Sequence, residues 1–215
     1  MYKVDLHTHS VASPDGSLTL ADYRSMLDSG ELDYIAVTDH DSVAWAFQAR
    51  SELGERLIVG EEISTTEGEL IGLFLGAIVP PGLSPVRTAE LIRQQGGLVY
   101  VPHPFETVRH GLSQTTLAQL AGLVDIVEVF NGRAVAQNKS ANAKRWAAER
   151  QLAGAASSDA HGRRGWGKTL TVIGLKPTAK NLNALLREAT FTEQTVGLRG
   201  LLYPKFNRIR KRVSG

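Results

Sequence analysis

His7 and His9 stand two positions apart in the run Asp-Leu-His-Thr-His-Ser at residues 5–10. On extended backbone, side chains two apart leave the same face, so both imidazoles can reach one cation. Asp159 and His161 repeat that spacing with a carboxylate and an imidazole, while Asp39, His40, Glu62, His103 and Asn131 each close a short apolar run. The chain has no cysteine, which excludes disulfides and thiolate sites and leaves nitrogen and oxygen as the only ligand types. Five of the six histidines fall at these places, and His110 alone is left over. The chemistry open to such a collection is metal-assisted hydrolysis. Two cations a few Å apart acidify a shared water, align it for in-line attack at phosphorus and neutralise phosphoryl oxygens, so no Ser or Cys nucleophile is needed.

The elements that must position these residues are short β-rich runs at 2–6, 33–38, 57–63, 98–102, 125–130, 153–157 and 169–175, with helical segments between most of them. Thr19 and Asp22 form a capping-box pattern ahead of Leu20 to Leu27. Ser84-Pro85 offers an N-cap followed by proline at the first helical position. Ala134 to Leu152, free of Gly and Pro, reads as one long helix, and Glu67 to Val79 reads as an extra hairpin between the third and fourth strands. Strand-helix alternation implies parallel strands joined by crossovers, hence a doubly wound sheet or a barrel, and seven units favour the closed barrel. Parallel strands bring their C-terminal ends to one face, where barrel enzymes carry their sites. His7, His9, Asp39, His40, Glu62, His103, Asn131, Asp159 and His161 are expected to converge there.

The ordered set "DLHTHS", "TDHD", "GEEI", "PHPF", "EVFNGR" and "SDAH", spread over residues 5–161, resembles the PHP (polymerase and histidinol phosphatase) superfamily. The resemblance implies an α/β fold, a distorted (β/α)7 barrel with its metal site at the C-terminal ends of the strands. It implies two or three divalent ions and the hydrolysis of phosphoesters. Carried over residue by residue, His7, His9, Glu62 and Asp159 surround a first ion, Glu62 bridges to a second held by His103, and Asp15, His40 and His161 hold a third. Asn131 departs from members with a histidine in that region, and its amide oxygen is a weaker ligand.

Beyond the ligands, Asp39 is a candidate for the acid that protonates the leaving oxygen or for a partner orienting His40, and His161 is counted with the catalytic residues as well as the ligands. Arg109, Arg133 and Arg163 are candidates for the substrate phosphate. Mixed nitrogen and oxygen ligation admits Zn, Mn or Fe. The expected enzyme is a metal-dependent phosphoesterase acting on a monoester or diester of a small metabolite, a nucleotide or an RNA or DNA end. The rival reading is a catalytically silent metal-binding or partner-binding module.

Gly162 to Thr169, "GRRGWGKT", matches the pattern of a nucleotide-binding P-loop, but that loop must open a helix at its Lys-Thr end, and Thr169 opens a strand-like run. The segment reads instead as a lid or rim of the metal site. At 215 residues with 42% hydrophobic side chains, the chain suits one barrel domain, placed at residues 1–194. The formal net charge of +2 conceals six cationic residues and no acid from Thr195 to Gly215. That basic tail, 195–215, is expected to pack on the barrel or extend from it. A contact with nucleic acid or anionic lipid, weakened by deleting 204–215 while turnover of a small substrate stays intact, is the sharper expectation. Pro204 is expected to interrupt any helix there. With no basic leader and no apolar run near 18 residues, a cytoplasmic protein without stable membrane insertion is expected.

Overall fold

Alternation along the strands divides the apolar residues between two cores. Val4, Tyr34, Ala36, Ile58, Ile71, Tyr100, Ile126 and Ala155 fill one cluster, whereas Ile35, Val37, Val59, Val99, Val101 and Val127 belong to another, shared with the helices. The first cluster is the barrel interior and the second lies between sheet and helical jacket, the two-faced burial that parallel barrel strands require. The computed structural model describes residues 1–135, 137–197 and 201–214. Leu198 and Arg199 of the basic tail, and Gly215, lie outside the described residues.

The strands are β1 (Tyr2–Asp5), β2 (Tyr34–Val37), β3 (Leu57–Thr65), β4 (Gly68–Leu73), β5 (Leu98–Val101), β6 (Ile126–Asn131), β7 (Ala153–Ser157), β8 (Leu170–Ile173) and β9 (Thr190–Thr192). The helices are α1 (Leu20–Asp28), α2 (Ala44–Leu53), α3 (Pro85–Gln94), α4 (Gln114–Gln119), α5 (Ser140–Glu149), α6 (Leu182–Arg187) and α7 (Tyr203–Ser214). They form one sheet in the order β7-β6-β5-β4-β3-β2-β1-β8-β9, which curls into a nearly closed barrel. A single parallel bridge, Thr8 to Ala160, joins the extensions of β1 and β7. The Thr171 hydroxyl on β8 adds bonds to the backbone of Ala156 on β7.

The seven expected strands are all present, but the sheet is mixed. β4 runs antiparallel to β3 and β5, β8 runs antiparallel to β1, and β9 to β8. The expected hairpin is therefore a sheet member between β3 and β5. Thr19 and Asp22 make the full capping box of α1, and Ser84 caps α3 with Pro85 at its start. The long helix expected over Ala134 to Leu152 shrinks to α5 (Ser140–Glu149). Its first part is diverted because Arg133 N and Ala134 N bond back to Asn131, and the Gln137 carboxamide accepts from Thr107 instead of lying on a helix face. Pro204 does not break α7: it sits in the first turn, where no intrahelical N–H is lost. Thr169 is followed by β8, so the P-loop-like run opens a strand.

Candidate metal centre

Inward parity on three strands carries polar residues to the mouth of the barrel. Glu62 continues the inward face of Ile58 on β3, Glu128 that of Ile126 on β6, and Glu69 that of Ile71 and Leu73 on β4. Because β4 is antiparallel, its first residues, not its last, lie at the C-terminal face of the barrel. His7 and His9 follow β1, His40 follows β2 and bridges to Glu62, His103 follows β5, and Asp159 and His161 follow β7. His103 and Asp159 hold φ of 27° and 53°, sparsely populated for non-glycine residues and often retained where function fixes a side chain.

Three overlapping donor groups result: His9, Asp15, His40 and His161; His7, Glu62 and His103; and His7, His9 and Asp159. All but His40 are buried. His7 Nε2 is 3.1 Å from His9 Nε2 and 3.3 Å from Glu62 Oε2. His9 Nε2 is 3.2 Å from Glu62 Oε2 and 3.4 Å from Asp159 Oδ1. His103 Nε2 is 3.1 Å from Glu62 Oε1, and His161 Nε2 is 3.4 Å from Asp15 Oδ1.

These separations suit cations. Donors each about 2.1 Å from a common ion lie roughly 3.0–3.4 Å apart at tetrahedral or octahedral angles, and most of the contacts above fall in that interval. The donors are imidazole nitrogen and carboxylate oxygen only, a set suited to Zn, Mn or Fe. Metal ligands also need orienting, and Glu128 does this: it takes bonds from His7 Nδ1 at 3.1 Å, the Tyr100 hydroxyl at 3.0 Å, His103 N at 2.7 Å and Asn131 Nδ2 at 2.8 Å.

The charges of the cluster shift one another's pKa values against the effect of burial. Burial works against a charged His9, yet Asp159 and Glu62 raise its pKa to about 9. Burial likewise opposes charge on His7, but Glu62, Asp159 and Glu128 hold it well above the usual imidazole value. Burial would raise Glu62, and His7, His40 and His103 instead hold it well below the carboxylate range. His161 is pushed down to about 3 by burial and by the cations of His9 and Arg133. Glu69 is pushed up to about 9 by burial and by the charge of Glu62.

The cavity above these groups measures about 240 Å³ and is lined by Asp15, His40, Glu62, Glu69, Asp159 and His161, with Arg109 and Arg133 on its wall. Among the expected phosphate binders these two face the site, whereas Arg163 does not. Its guanidinium is exposed and reaches Asp22 and Ser25 of α1, and none of residues 162–168 lines the cavity, so the expected lid is not there. Asn131 also departs from expectation: its Oδ1 accepts from Arg109 Nη1 and Arg133 N, leaving the amide braced between neighbours. Asp39 does not line the cavity either. It accepts from Ser10 N at 2.6 Å and Ser10 Oγ at 2.5 Å, which fixes the strand end that carries His9.

Four contributors escaped the sequence reading: Glu69, Glu128, His110 and Arg208. For the two glutamates the signal was parity with the apolar residues on β4 and β6. Arg208 brings the tail to the site by donating to Asp15 Oδ2 at 2.7 Å, so removing residues 204–215 would reach the donor cluster instead of leaving it untouched.

Residues 138–191 match the family described as PHP-associated. The uncharacterized protein MJ1587 of Methanocaldococcus jannaschii is 36% identical over 143 residues, covering 60% of this chain and 81% of that one. A two-domain protein of Bacteroides vulgatus containing a predicted PHP-like metal-dependent phosphoesterase is similar in fold, with a TM-score of 0.73 at 21% identity over 96% of this chain and 69% of its own. PsfC of Pseudomonas syringae is similar over 100% of this chain and 99% of its own, with a TM-score of 0.67 at 17% identity. The matched segment carries β7 and the approach to Asp159 and His161, and the remaining donors stand around the same barrel mouth: the chain belongs to the PHP superfamily.

Proposed function

We propose that the protein is a metal-dependent phosphoesterase that uses two or three divalent cations. The observation that carries this reading is the sharing of His7 and His9 among donor groups that also take in Glu62, Asp159 and the Asp15 cluster, because shared donors set neighbouring cations a few Å apart. Bound there, such ions supply an activated water and charge neutralisation at phosphorus. The phosphoesterase description of the Bacteroides vulgatus neighbour points the same way.

The chain's own residues do the rest. Glu128 fixes the ring of His7, and Asp39 fixes the backbone just after His9 through Ser10. Arg133 reaches Asp159 and His161 from the cavity wall at 3.3 Å and presents positive charge to an incoming phosphate. Glu69 lines the cavity beside His40 and His103, each 3.8 Å away, and is placed to hold a proton for the leaving oxygen. Substrates are esters small enough to bring phosphorus to the floor of a cavity of about 240 Å³: a phosphorylated metabolite, a nucleotide or an oligonucleotide end.

Elemental analysis of untagged protein, with p-nitrophenyl phosphate and bis-p-nitrophenyl phosphate turned over by the same sample with and without Mn²⁺, tests the proposal. Two or more ions per chain and metal-dependent turnover are expected. His9→Ala and Asp159→Ala are expected to lower kcat at least a hundredfold, roughly the scale of losing a metal-held nucleophile, with circular dichroism unchanged. Full activity in both variants would refute it, and metal without turnover would favour a silent binding module.

A further inference from the structure

Helix α7 is fastened across the mouth of the barrel by polar contacts with the candidate ligand loops. The buried Asn207 amide donates to Asp15 O at 2.7 Å and to His161 O at 3.1 Å, and Lys211 Nζ donates to Val11 O at 2.6 Å and also to Ser13 O. The Tyr203 ring lies directly on Gly162, where a Cβ would come within 2.6 Å of it. Pro204 and Arg208, one turn apart, become part of the wall of the metal-donor cavity.

The three arginines on that wall differ in how many donors they have already committed. Arg109 uses all three nitrogens: Nε and Nη2 go to Glu106, and Nη1 goes to Asn131 and Asp159. It is a brace for the carboxylate of Asp159. Arg133 bonds to Asp159 and His161 through Nη1 alone, but its side chain is 14% exposed and its Nε is buried and unpartnered among the described residues, so burial and not bonding limits its reach. Arg208 makes one side-chain bond, Nη2 to Asp15 Oδ2 at 2.7 Å, and its side chain is 58% exposed. A guanidinium has five N–H donors in a fork that fits two oxygens of a phosphate, and Arg208 keeps most of them.

Asp15 is itself grouped with His9, His40 and His161 as a cation donor. A cation held by those groups would take over the negative charge of Asp15 that Arg208 balances, and would weaken that pairing while Asn207, the preceding residue, still pins the helix. We propose that Arg208 is the principal arginine for the substrate's phosphoryl oxygens, a role the sequence assigns to Arg109, Arg133 and Arg163. This assignment rests on the phosphoesterase reading. It gives α7 a direct part in substrate binding, and the surrounding Lys205, Arg210, Lys211 and Arg212 raise the local concentration of anions.

The test uses the metal-loaded full chain with inorganic phosphate as probe, followed by calorimetry, and p-nitrophenyl phosphate for kinetics. Arg208→Ala is expected to weaken phosphate binding and raise KM by roughly tenfold or more, the scale of a lost charge-assisted contact, with metal content and melting temperature unchanged. Arg208→Lys should recover part of the loss, and Arg187→Ala, on α6 and outside the cavity, should bind phosphate as wild type does. An active wild type whose Arg208→Ala variant binds phosphate equally well overturns the assignment. So does loss of metal in that variant, which would make Arg208 only a partner of Asp15. A metal-loaded wild type that neither binds phosphate nor turns over esters removes the phosphoesterase reading itself, and the assignment with it.

Discussion

Glu128 shows how a residue can govern a site without being one of its expected ligands. Its two oxygens take bonds from His7, Tyr100, His103 and Asn131, so it fixes the His7 tautomer and the backbone of His103 together. Glu128→Ala should therefore weaken metal binding by about 10–100-fold, the usual effect of losing such a partner, measured by competition with a chromophoric chelator. Unchanged affinity would mean the imidazoles orient themselves. The donors His7, His9, Glu62, His103, Asp159 and His161 were legible in the sequence because each closes a strand and the pairs share a two-residue spacing. Glu128 and Glu69 were not, because each lies within a strand-like run, and only the inward parity of Ile126 and Ile71 shows which way it faces. Arg163 failed for the opposite reason. Adjacency to His161 is not proximity when the loop turns outward to α1.

At the scale of elements, the seven expected strands were legible from β-rich runs and capping patterns, but the antiparallel directions of β4 and β8 were not. A hairpin looks the same in sequence whether it lies over the barrel or inside the sheet. Here the two-residue connection at Thr66 and Glu67 turns the chain back into the sheet, and that reversal delivers Glu69 to the site. The loop after β1 is a second such case. Its Asp-Gly step reads as an ordinary turn, yet a Cβ on Gly16 would lie 2.1 Å from Ser10 O and 2.8 Å from His9 O. Backbone, not a movable side chain, occupies that space. Gly16→Ala is expected to displace the strand end carrying His9, lowering metal content below that of wild type in elemental analysis at matched folding. Full metal occupancy would show that the loop can yield. The basic composition of α7 was equally plain in the sequence, but nothing in it indicated that the helix reaches Asp15.

The whole molecule balances a buried cluster of charge, and the balance depends on pH. Without metal, His9 has a folded pKa near 9 against 6.5 when unfolded, so its contribution to stability is complete below about 6.5 and is lost as pH rises through 9. His161, pushed down to about 3, contributes above 6.5 and loses its contribution as pH falls toward 3. Melting temperatures of chelator-treated protein should therefore fall on both sides of near-neutral pH. A bound cation replaces the His9 proton, so loading with metal should flatten the alkaline side, and an alkaline decline equal in both samples would contradict this account. The seam that closes the barrel carries a further consequence, for synthesis. Asp5 is fully buried and accepts bonds from Ser158 N and from Trp166 Nε1, across sequence separations of 153 and 161 residues. At roughly 5–20 residues per second, a ribosome makes β1 on the order of ten to thirty seconds before it makes those partners. Throughout that interval the first strand can pair with β2, but its carboxylate has no buried place to go, so the nascent barrel must stay open along one side and cannot form the complete donor cluster until the segment from Ser158 to Trp166 arrives.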